Sequence, residues 1–415
     1  MQEMRVVLRN VGKINPVKSA EYAAAGGYQG LKKAFSLSQD EIINILKESG
    51  LRGRGGAGFP TGLKWTFVKN TAAAQKYICC NADEGEPGTN KDRVILSGDP
   101  NSVFEGMAVA GYAVGATKGF IYLRAEYPYV FTLLNEALDD ARAQGYLGKN
   151  IFNSGFDFDI EVVSGAGAYV CGEETALIES IEGKRGEPRF KPPYPGVSGL
   201  WASPTVVNNV ETLSNVPQIL ENGAAWFKDI GTAKCAGTKV FSLSGNVKNP
   251  GVYEFPMGTN LKTLFEDVAG GCEDGRSLFA VQTGGASTTI IRADQIDFNT
   301  DVESASAAGA SLGSGAMLFI DDSNCLMDVL ENLMEFFVHE SCGKCTPCRE
   351  GNKRLLELVQ KVKVGNSTDE NVETMLDLAE TMMTASLCGL GQSSPTAVVS
   401  AIKNFRSKFA AKGGK

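Results

Sequence analysis

The placement of four cysteines near the C-terminus constrains the fold of this chain more than any other feature. Cys342, Cys345 and Cys348 follow one another at C-x2-C-x2-C spacing, and Cys388 stands far behind them in Ser-Leu-Cys-Gly-Leu. Three closely spaced thiolates and a distant fourth are typical of [4Fe–4S] ligation. A structural zinc site more often takes two C-x2-C pairs. The pattern therefore favours an iron–sulfur cluster, with zinc or redox-active thiols as alternatives, and requires two distant segments to meet.

Apolar residues at helical spacing surround these cysteines. They predict four helices, over Leu326 to Val338, Asn352 to Val362, Asp369 to Met383 and Pro395 to Phe409. Short links between amphipathic helices favour a bundle. Asn352 also occupies the place where a ferredoxin run C-x2-C-x2-C-x3-C-P would have its fourth cysteine, so one cluster is expected.

A glycine-rich loop, Arg52 to Trp65, is the second strong feature. Its fourteen residues include five glycines, with Arg52, Arg54 and Lys64 adding positive charge and no carboxylate nearby. Such a loop turns backbone N–H groups toward one point and favours a phosphate-bearing ligand. Gly53 to Gly58 matches the dinucleotide pattern G-x-G-x-x-G, but a capped helix beginning near Ser38 precedes it instead of a strand. The pattern is therefore a poor match to a Rossmann fingerprint.

Polar groups follow several predicted strands. The strand from Lys76 to Cys80 ends at a turn with Asp83, Glu84 and Glu86, and a second glycine turn begins at Gly165. Side chains at strand ends point into a crevice in α/β proteins, although a solvated acidic turn and ordinary helix caps are alternatives. The alternation of strands and helices predicts an α/β domain. A short strand is also expected at Met4 to Leu8, and a helix is expected to begin at Pro204 to Thr212.

A linker at Gly231 to Gly237 precedes a β-rich segment. Its hairpin, from Lys239 to Tyr253, and a later strand, from Phe279 to Thr283, predict a ubiquitin-like module. No chemical groups stand in site-like order there. We expect the module to serve packing or partner contact.

Composition excludes several classes of function. The chain has 415 residues and a formal charge of −8, so a nucleic-acid binder is disfavoured. His339 is its one histidine, which argues against sites built on several imidazoles. No signal peptide and no membrane-spanning apolar run is evident, so we expect a cytoplasmic protein without direct membrane insertion.

Taken together, the motifs resemble a known family. The glycine loop, Asn81-Ala-Asp-Glu-Gly-Glu-Pro-Gly, Gly165-Ala-Gly-Ala-Tyr-Val-Cys-Gly-Glu-Glu, Asn208-Asn-Val-Glu-Thr and Glu340-Ser-Cys-Gly-Lys-Cys-Thr-Pro-Cys-Arg occur in one order across nearly the whole chain. They resemble the FMN- and NADH-binding flavoprotein subunit of complex I-type NADH dehydrogenases, shared with soluble NAD-linked hydrogenases and formate dehydrogenases.

The resemblance implies three domains. They are an N-terminal segment plus a Rossmann-like FMN- and NADH-binding α/β domain (1–235), a ubiquitin-like β-grasp domain of SLBB type (236–324), and a four-helix bundle carrying a [4Fe–4S] cluster (325–415). The implied activity is hydride transfer between NAD(H) and FMN, followed by single-electron transfer to the cluster. No protein group need act covalently.

The resemblance also assigns site residues by matching positions. The FMN set comprises Gly53, Arg54, Gly55, Gly56, Ala57, Gly58, Lys64, Asn81, Asp83, Glu84, Tyr169, Gly172, Glu173, Asn208, Asn209 and Thr212. The NADH set comprises Phe59, Phe67, Glu86, Glu174, Lys191 and Tyr194, with Glu86 positioning the nicotinamide. The cluster ligands are Cys342, Cys345, Cys348 and Cys388.

The expected partners are separate subunits of a hetero-oligomer. They are a thioredoxin-like [2Fe–2S] protein and a catalytic iron–sulfur or hydrogenase subunit, because the extra cysteine modules of larger hydrogenase relatives are not seen here. The opening segment resembles the hydrogenase branch more than the respiratory one. Alternatives are the input subunit of complex I or of a formate dehydrogenase, the flavin subunit of an ion-pumping ferredoxin–NAD oxidoreductase, and a zinc-stabilised scaffold. Carboxylates at Glu86 and Glu174 favour NAD over NADP.

Overall fold

A four-stranded parallel sheet forms the centre of the N-terminal region in the computed structural model, which describes residues 1–409. Residues 410–415 of the expected third domain lie outside that range. The strands are β1 (Tyr77–Ala82), β2 (Lys118–Leu123), β3 (Asp159–Ser164) and β4 (Thr205–Asn209). Their order is β3-β2-β1-β4, so the chain moves outward on one side of β1 and returns to its other side. The carboxyl ends of β1 and β4 therefore border the switch point where α/β folds bind ligands.

Helices cover this sheet, as the α/β prediction requires. In the first part of the region they are α1 (Ser19–Ala24), α2 (Gln29–Ala34), α3 (Gln39–Glu48), α4 (Thr61–Asn70), α5 (Lys91–Gly98), α6 (Pro100–Val114) and α7 (Pro128–Ala143). In the second part they are α8 (Glu174–Ile181), α9 (Pro195–Ser198), α10 (Val210–Asn222) and α11 (Ala224–Lys228). Among them, α6 is buried along almost its whole length.

The entry to the glycine loop is fixed by local sequence. Ser38 caps α3 with a capping box, in which its hydroxyl accepts from the Glu41 N–H and the Glu41 carboxylate accepts from the Ser38 N–H. Gly50 then adopts a φ of 71°, which ends the helix and turns the chain. A helix therefore leads into the loop, which confirms that no strand precedes it.

The second sheet belongs to the ubiquitin-like module. Its strands are β5 (Thr238–Gly245), β6 (Gly251–Pro256), β7 (Leu278–Thr283), β8 (Ile290–Arg292) and β9 (Ala316–Asp321), with α12 (Leu261–Thr263), a π-helical turn (Leu264–Val268) and α13 (Val302–Ala307) between them. The order is β6-β5-β9-β7-β8. Strands β5 and β9 pair in parallel between antiparallel neighbours, which is the β-grasp arrangement.

The C-terminal region is helical. It consists of α14 (Leu326–Glu340), α15 (Thr346–Lys363), α16 (Asp369–Ala385), α17 (Gly389–Ser393) and α18 (Thr396–Asn404). The four long helices match the predicted bundle, and α17 is an additional short helix after Cys388. No helix within residues 1–409 is long and apolar enough to cross a lipid bilayer.

Two local predictions were wrong. Met4 to Leu8 forms no strand, because the N–H groups of Val7 and Leu8 donate to the Glu254 carboxylate, at 2.9 and 2.8 Å, instead of to a neighbouring strand. The segment expected to open a helix at Pro204 first forms β4, and its helix begins only at Val210. The boundaries of the three domains stay predictions.

Candidate functional site

The glycine loop presents four unused backbone donors. The loop is closed at its base by the Gly53 N–H, which donates to the Phe59 carbonyl at 2.9 Å. Between these residues, the N–H groups of the segment 55–58 donate to no acceptor within residues 1–409, and Gly55 to Ala57 are exposed. Gly56 has a φ of 135°, which few other residues adopt. Successive free N–H groups form a concavity that suits an anion such as a phosphate.

Arg54 and Thr212 shape this loop from behind. The Arg54 guanidinium is buried and donates to the carbonyls of Thr238 and Ala236, at 3.1 and 2.6 Å. Its backbone N–H donates to the Thr212 hydroxyl at 2.8 Å. Neither group is directed to the exposed side of the loop. Both residues therefore fix the loop against β5 and α10.

The turn after β1 contains an acid without a partner. One oxygen of Asp83, Oδ2, is buried and unpaired, and burial raises the pKa of this carboxyl to about 8. Asn81 fixes the segment that faces this acid, because its side-chain amide donates to the Gly172 carbonyl at 2.7 Å. A Cβ at Gly172 would lie 3.7 Å from Asp83 Oδ2. The orphaned oxygen and the glycine wall fit a polar ligand at this point.

The remaining polar residues of the predicted FMN set are already paired. Glu84 accepts from the N–H groups of Asp92 and Arg93 at the start of α5, and burial raises its pKa to about 7. Asn208 Oδ1 accepts from the Trp65 indole at 2.8 Å. Asn209 caps α10 by accepting from the Glu211 N–H. These groups order the floor of the site through backbone and indole contacts.

A buried ion network lies beneath the loop and was not anticipated from the sequence. Lys91 lies within 3.0 Å of Glu211 and within 2.7 Å of Asp92, and Lys239 of β5 contacts Glu211 at 2.5 Å. Burial lowers the pKa of Lys239 to about 8. Burial opposes the ionisation of Glu211, yet the two lysines hold its pKa below its ordinary value. Glu211 and Lys239 stand beside apolar residues, which is a weak signal of burial, whereas Lys91 and Asp92 stand in a polar run that gave no such signal.

Two lysines and two glutamates line one side of the site. Lys64 of α4 contacts Glu174 at 3.0 Å and also donates to the Val207 carbonyl at 3.0 Å. Lys191 contacts both Glu173 and Glu174, at 2.8 and 3.1 Å. Glu173 also caps α8 through the N–H groups of Thr175 and Ala176. The structure thus brings these four predicted residues together.

The predicted nucleotide-binding aromatics lie at the surface. Phe59, Phe67 and Tyr194 are exposed by 44%, 51% and 59%, so their rings are free to stack on a planar ligand. Glu86, in contrast, is buried, and its Oε1 accepts from the Ser287 hydroxyl at 2.7 Å. Ser287 belongs to the ubiquitin-like module, where no site residue was expected. This contact between the module and a residue of the predicted NADH set was not anticipated from the sequence.

Tyr169 connects the α/β domain to the helical bundle. Its backbone N–H donates to the Glu340 carboxylate at 2.9 Å, and its ring packs against Phe336 with centroids 5.2 Å apart. A Cβ at Gly85 would lie 3.1 Å from Tyr169 Cα, so the turn after β1 touches this residue closely. Glu340 immediately precedes the cysteine loop. The turn, Tyr169 and that loop therefore form one continuous wall.

The four predicted cluster ligands line one pocket. Cys342, Cys345, Cys348 and Cys388 line this pocket together with the apolar side chains of Val170, Leu387 and Leu390. No three Cys, His, Asp or Glu side chains within residues 1–409 converge on the position of a single metal ion. All four cysteines are free thiols. Four thiols lining one pocket with apolar neighbours fit the ligand set of a [4Fe–4S] cluster.

Polar neighbours support the thiols. Asn352 Nδ2 lies 3.3 Å from Cys348 Sγ, and Ser341 Oγ lies 3.2 Å from the same sulfur. The Leu387 N–H donates to Cys345 Sγ at 3.5 Å. Arg185 donates to the Cys342 carbonyl at 2.7 Å. Of these contacts, those of Asn352 Nδ2 and the Leu387 N–H are donated to sulfur, and the Ser341 hydroxyl is placed to donate to a Cys348 thiolate; such donors stabilise negative charge on sulfur and thereby influence the reduction potential of a cluster.

Comparison with known proteins agrees with this arrangement. The family descriptions that match are the Nuo51 FMN-binding domain over residues 46–218, the SLBB domain over residues 240–291 and the NADH-ubiquinone oxidoreductase-F iron–sulfur binding region over residues 328–412. The chain is 49% identical over 99% of its length to the NADP-reducing hydrogenase subunit HndC of Solidesulfovibrio fructosivorans, covering 84% of that protein. The chain belongs to the family of complex I-type FMN- and NADH-binding subunits.

Other members of this family are nearly as similar. A subunit of an NADH-quinone oxidoreductase of Rhizobium meliloti is 47% identical, with 98% of this chain and 97% of that protein covered. Among solved structures, an NAD+-reducing [NiFe]-hydrogenase in the H2-reduced state superposes with a TM-score of 0.86 at 38% identity, covering 99% of this chain and 67% of that chain.

Family membership confirms several expectations. The chain is an oxidoreductase subunit whose cofactors are FMN and a [4Fe–4S] cluster and whose substrate is NADH. The α/β, SLBB and iron–sulfur domains are those predicted, and the zinc-stabilised scaffold is not supported. The relatives are subunits of larger assemblies, so the chain is a component of a hetero-oligomer. The roles of individual site residues stay predictions.

Proposed function

We propose that the chain is the NADH-input subunit of a soluble NAD-linked hydrogenase. In this function the glycine loop binds the phosphate of FMN, and the turn after β1 contacts the polar edge of the flavin ring. The observation that carries the proposal is the continuous wall from Glu86 through Tyr169 to Glu340, which joins the flavin-side residues to the cysteine pocket. FMN held there would supply the conversion of a two-electron hydride donor into two one-electron steps.

The residues of the chain supply binding and orientation. Free N–H groups at 55–58 bind the phosphate, and Asp83 offers a buried carboxyl, protonated below a pKa of about 8, as a hydrogen-bond donor. Phe59, Phe67 and Tyr194 present exposed rings to the adenine. Glu86 and Lys191 contact the ribose and nicotinamide. No residue of the chain forms a covalent bond with substrate.

The test separates nucleotide binding from flavin binding. Glu86→Gln keeps the size of the side chain but removes its charge, so we expect impaired NADH oxidation with an artificial acceptor and unchanged FMN content. Glu303→Gln is a suitable control, because Glu303 is an exposed carboxylate that contacts Arg52 and Cys235 and does not belong to the predicted NADH set. Unchanged NADH kinetics in Glu86→Gln would contradict the proposed role.

The nucleotide is proposed to be NAD(H). Glu86 is a buried carboxylate and Glu174 is a carboxylate that holds both Lys64 and Lys191, so neither lysine is free to receive an additional phosphate. The relative HndC is named as NADP-reducing, which makes the choice worth measuring. We expect kcat/KM for NADH to exceed that for NADPH. A preference for NADPH would refute this part of the proposal.

The assembly is proposed to contain a thioredoxin-like [2Fe–2S] subunit and a catalytic hydrogenase subunit. The support is the similarity to HndC and to the hydrogenase structure. Similarity to the NADH-quinone oxidoreductase of Rhizobium meliloti is almost as high, so the alternative is the input subunit of a respiratory complex I or a formate dehydrogenase. Affinity purification of the tagged native chain, followed by identification of its co-purifying subunits, distinguishes these assemblies. Recovery of complex I subunits would contradict the hydrogenase assignment.

A further inference from the structure

The loop between β7 and β8 of the SLBB module lies directly against Glu86. This loop, residues 284–289, begins with two glycines at φ values of 92° and 109°. A Cβ at Gly285 would lie 2.3 Å from the Glu86 carboxyl carbon. Only glycine allows such close approach of backbone to carboxylate. The glycine at position 285 of the SLBB module therefore leaves room for the Glu86 side chain of the neighbouring α/β domain.

Ser287 makes two hydrogen bonds to the same carboxylate oxygen. Its hydroxyl donates to Glu86 Oε1 at 2.7 Å, and its backbone N–H donates to that oxygen at 3.2 Å. On the other side, the Thr89 hydroxyl lies 3.5 Å from Glu86 Oε2, at the limit of a hydrogen bond. The stronger contacts thus come from the SLBB module.

The loop that carries Ser287 is itself held in place. The Ser314 N–H donates to the Gly284 carbonyl at 2.9 Å, and the Ser314 hydroxyl lies 2.7 Å from the Thr89 hydroxyl. The Thr288 hydroxyl donates to the Gly285 carbonyl at 2.6 Å. These contacts tie the module to the turn that bears Glu86. Ser287 is consequently presented from a fixed backbone.

Glu86 has no cationic partner. Within residues 1–409, no Lys, Arg or His nitrogen lies within 4.0 Å of its carboxylate. Burial raises the pKa of Glu86, and the Ser287 donors act in the opposite direction by stabilising the ionised form. The other titratable group that faces it is Tyr169, whose pKa is raised by burial and by the charge of Glu86. Ser287 is thus the main stabilising contact of this carboxylate, and the Ser314 and Thr89 hydroxyls act on its pKa in the same direction to a smaller extent.

We propose that Ser287 is a positioning residue of the nucleotide site, through which the SLBB module fixes the orientation of the Glu86 carboxylate toward NAD(H). This inference rests on the proposed contact between Glu86 and the nucleotide. It assigns the module a direct part in substrate binding, in addition to packing.

The test compares Ser287→Ala with Ser287→Thr, which keeps a hydroxyl, and with Ser306→Ala, an exposed serine of the same module. NAD+ binding to the oxidised, FMN-loaded protein is measured by calorimetry. We expect the Kd of Ser287→Ala to rise about tenfold, as for loss of one hydrogen bond to a charged group. Ser287→Thr restores most of the affinity, and Ser306→Ala leaves it unchanged. FMN content serves as the check on folding.

A pH profile and a double mutant complete the test. In Ser287→Ala the acidic limb of kcat/KM for NADH shifts to higher pH, because the ionised carboxylate has lost a donor. Adding Ser287→Ala to Glu86→Gln has little further effect. If Glu86→Gln impairs NADH use while Ser287→Ala changes neither Kd nor the pH profile, only this inference fails. If Glu86→Gln itself changes nothing, the proposed function of Glu86 and this inference fail together.

Discussion

At the scale of single residues, hydrogen bonds to sulfur distinguish the cysteine pocket from a set of inert thiols. Cys348 lies in contact with both Ser341 and Asn352. A donor to sulfur stabilises the more negative, reduced cluster and so raises its reduction potential. The cysteine spacing predicted four cluster ligands. The polar groups near Cys348 could not be predicted in this way, because serine and asparagine are common residue types and Ser341 and Asn352 belong to no spacing pattern.

Replacing Ser341 with alanine should lower the midpoint potential of the cluster. The reason is the loss of the hydroxyl that lies 3.2 Å from Cys348 Sγ. The measurement is a redox titration followed by electron paramagnetic resonance, with Ser393→Ala of the nearby α17 as the matched control. A midpoint potential equal to that of the unchanged protein would show that this contact has no electronic effect.

Asp83 should make stability depend on pH in the FMN-free protein. Its folded pKa of about 8 lies above the ordinary value of 3.8, so between these values the folded state binds the proton more tightly than the unfolded state. The free energy of unfolding therefore falls as pH rises, by at most about 1.4 kcal/mol per pH unit for one proton. Asp83→Asn lacks this dependence. We expect urea unfolding to show that the parent protein loses more stability than Asp83→Asn between pH 5 and pH 8. An equal change in the free energy of unfolding of the two proteins would contradict the raised pKa of this acid.

At the scale of elements, the glycine loop shows what a sequence pattern can and cannot predict. The density of glycines predicted exposed backbone donors, and the structure presents them at 55–58. The positive charge of Arg54 suggested a phosphate ligand, yet its guanidinium is buried against backbone carbonyls. The charge of Arg54 is evident from the sequence. The direction of its side chain depends on the carbonyls of Ala236 and Thr238, which are distant in the sequence.

Replacing Gly56 with alanine should weaken FMN binding. A β-carbon at a φ of 135° is strained, at a cost of about 1–2 kcal/mol, which corresponds to roughly tenfold in affinity if the loop must distort. Gly145→Ala is the control, since Gly145 also has a positive φ but lies in open space away from the site. Flavin content and FMN dissociation after dilution are the measurements. Equal retention of FMN in both variants would show that the glycine loop does not bind FMN.

Strand β4 and the N-terminal segment mark the limits of element prediction. Thr205 to Asn209 was expected to lie at the start of a helix. It forms β4 instead, and Asn209 caps the helix that follows this strand. The apolar residues of Met4 to Leu8 suggested a strand, whereas the N–H groups of Val7 and Leu8 donate to the buried carboxylate of Glu254. In both cases a long-range partner decided the local conformation.

At the scale of the whole molecule, three domains contribute to the candidate site. The α/β domain contributes the glycine loop and the turn after β1, the bundle contributes the cysteine pocket, and the SLBB module contributes Ser287, which contacts Glu86. Sequence motifs identified the first two contributions because their chemistry depends on unusual residue types at short spacing. The contribution of the SLBB module depends on Ser287 alone, and the two glycines that begin its loop, residues 284–289, are also typical of an ordinary turn.

The most direct test is to purify the chain without oxygen, measure FMN, iron and zinc, and then titrate it with NADH. The central claim is that one chain holds the flavin and the cluster along a continuous wall that begins at the nucleotide site. The account predicts one FMN and about four irons per chain, with stoichiometric NADH bleaching the flavin absorbance and producing the paramagnetic signal of a reduced cluster. Stoichiometric zinc without flavin, or flavin reduction that never reaches the cluster, would contradict it.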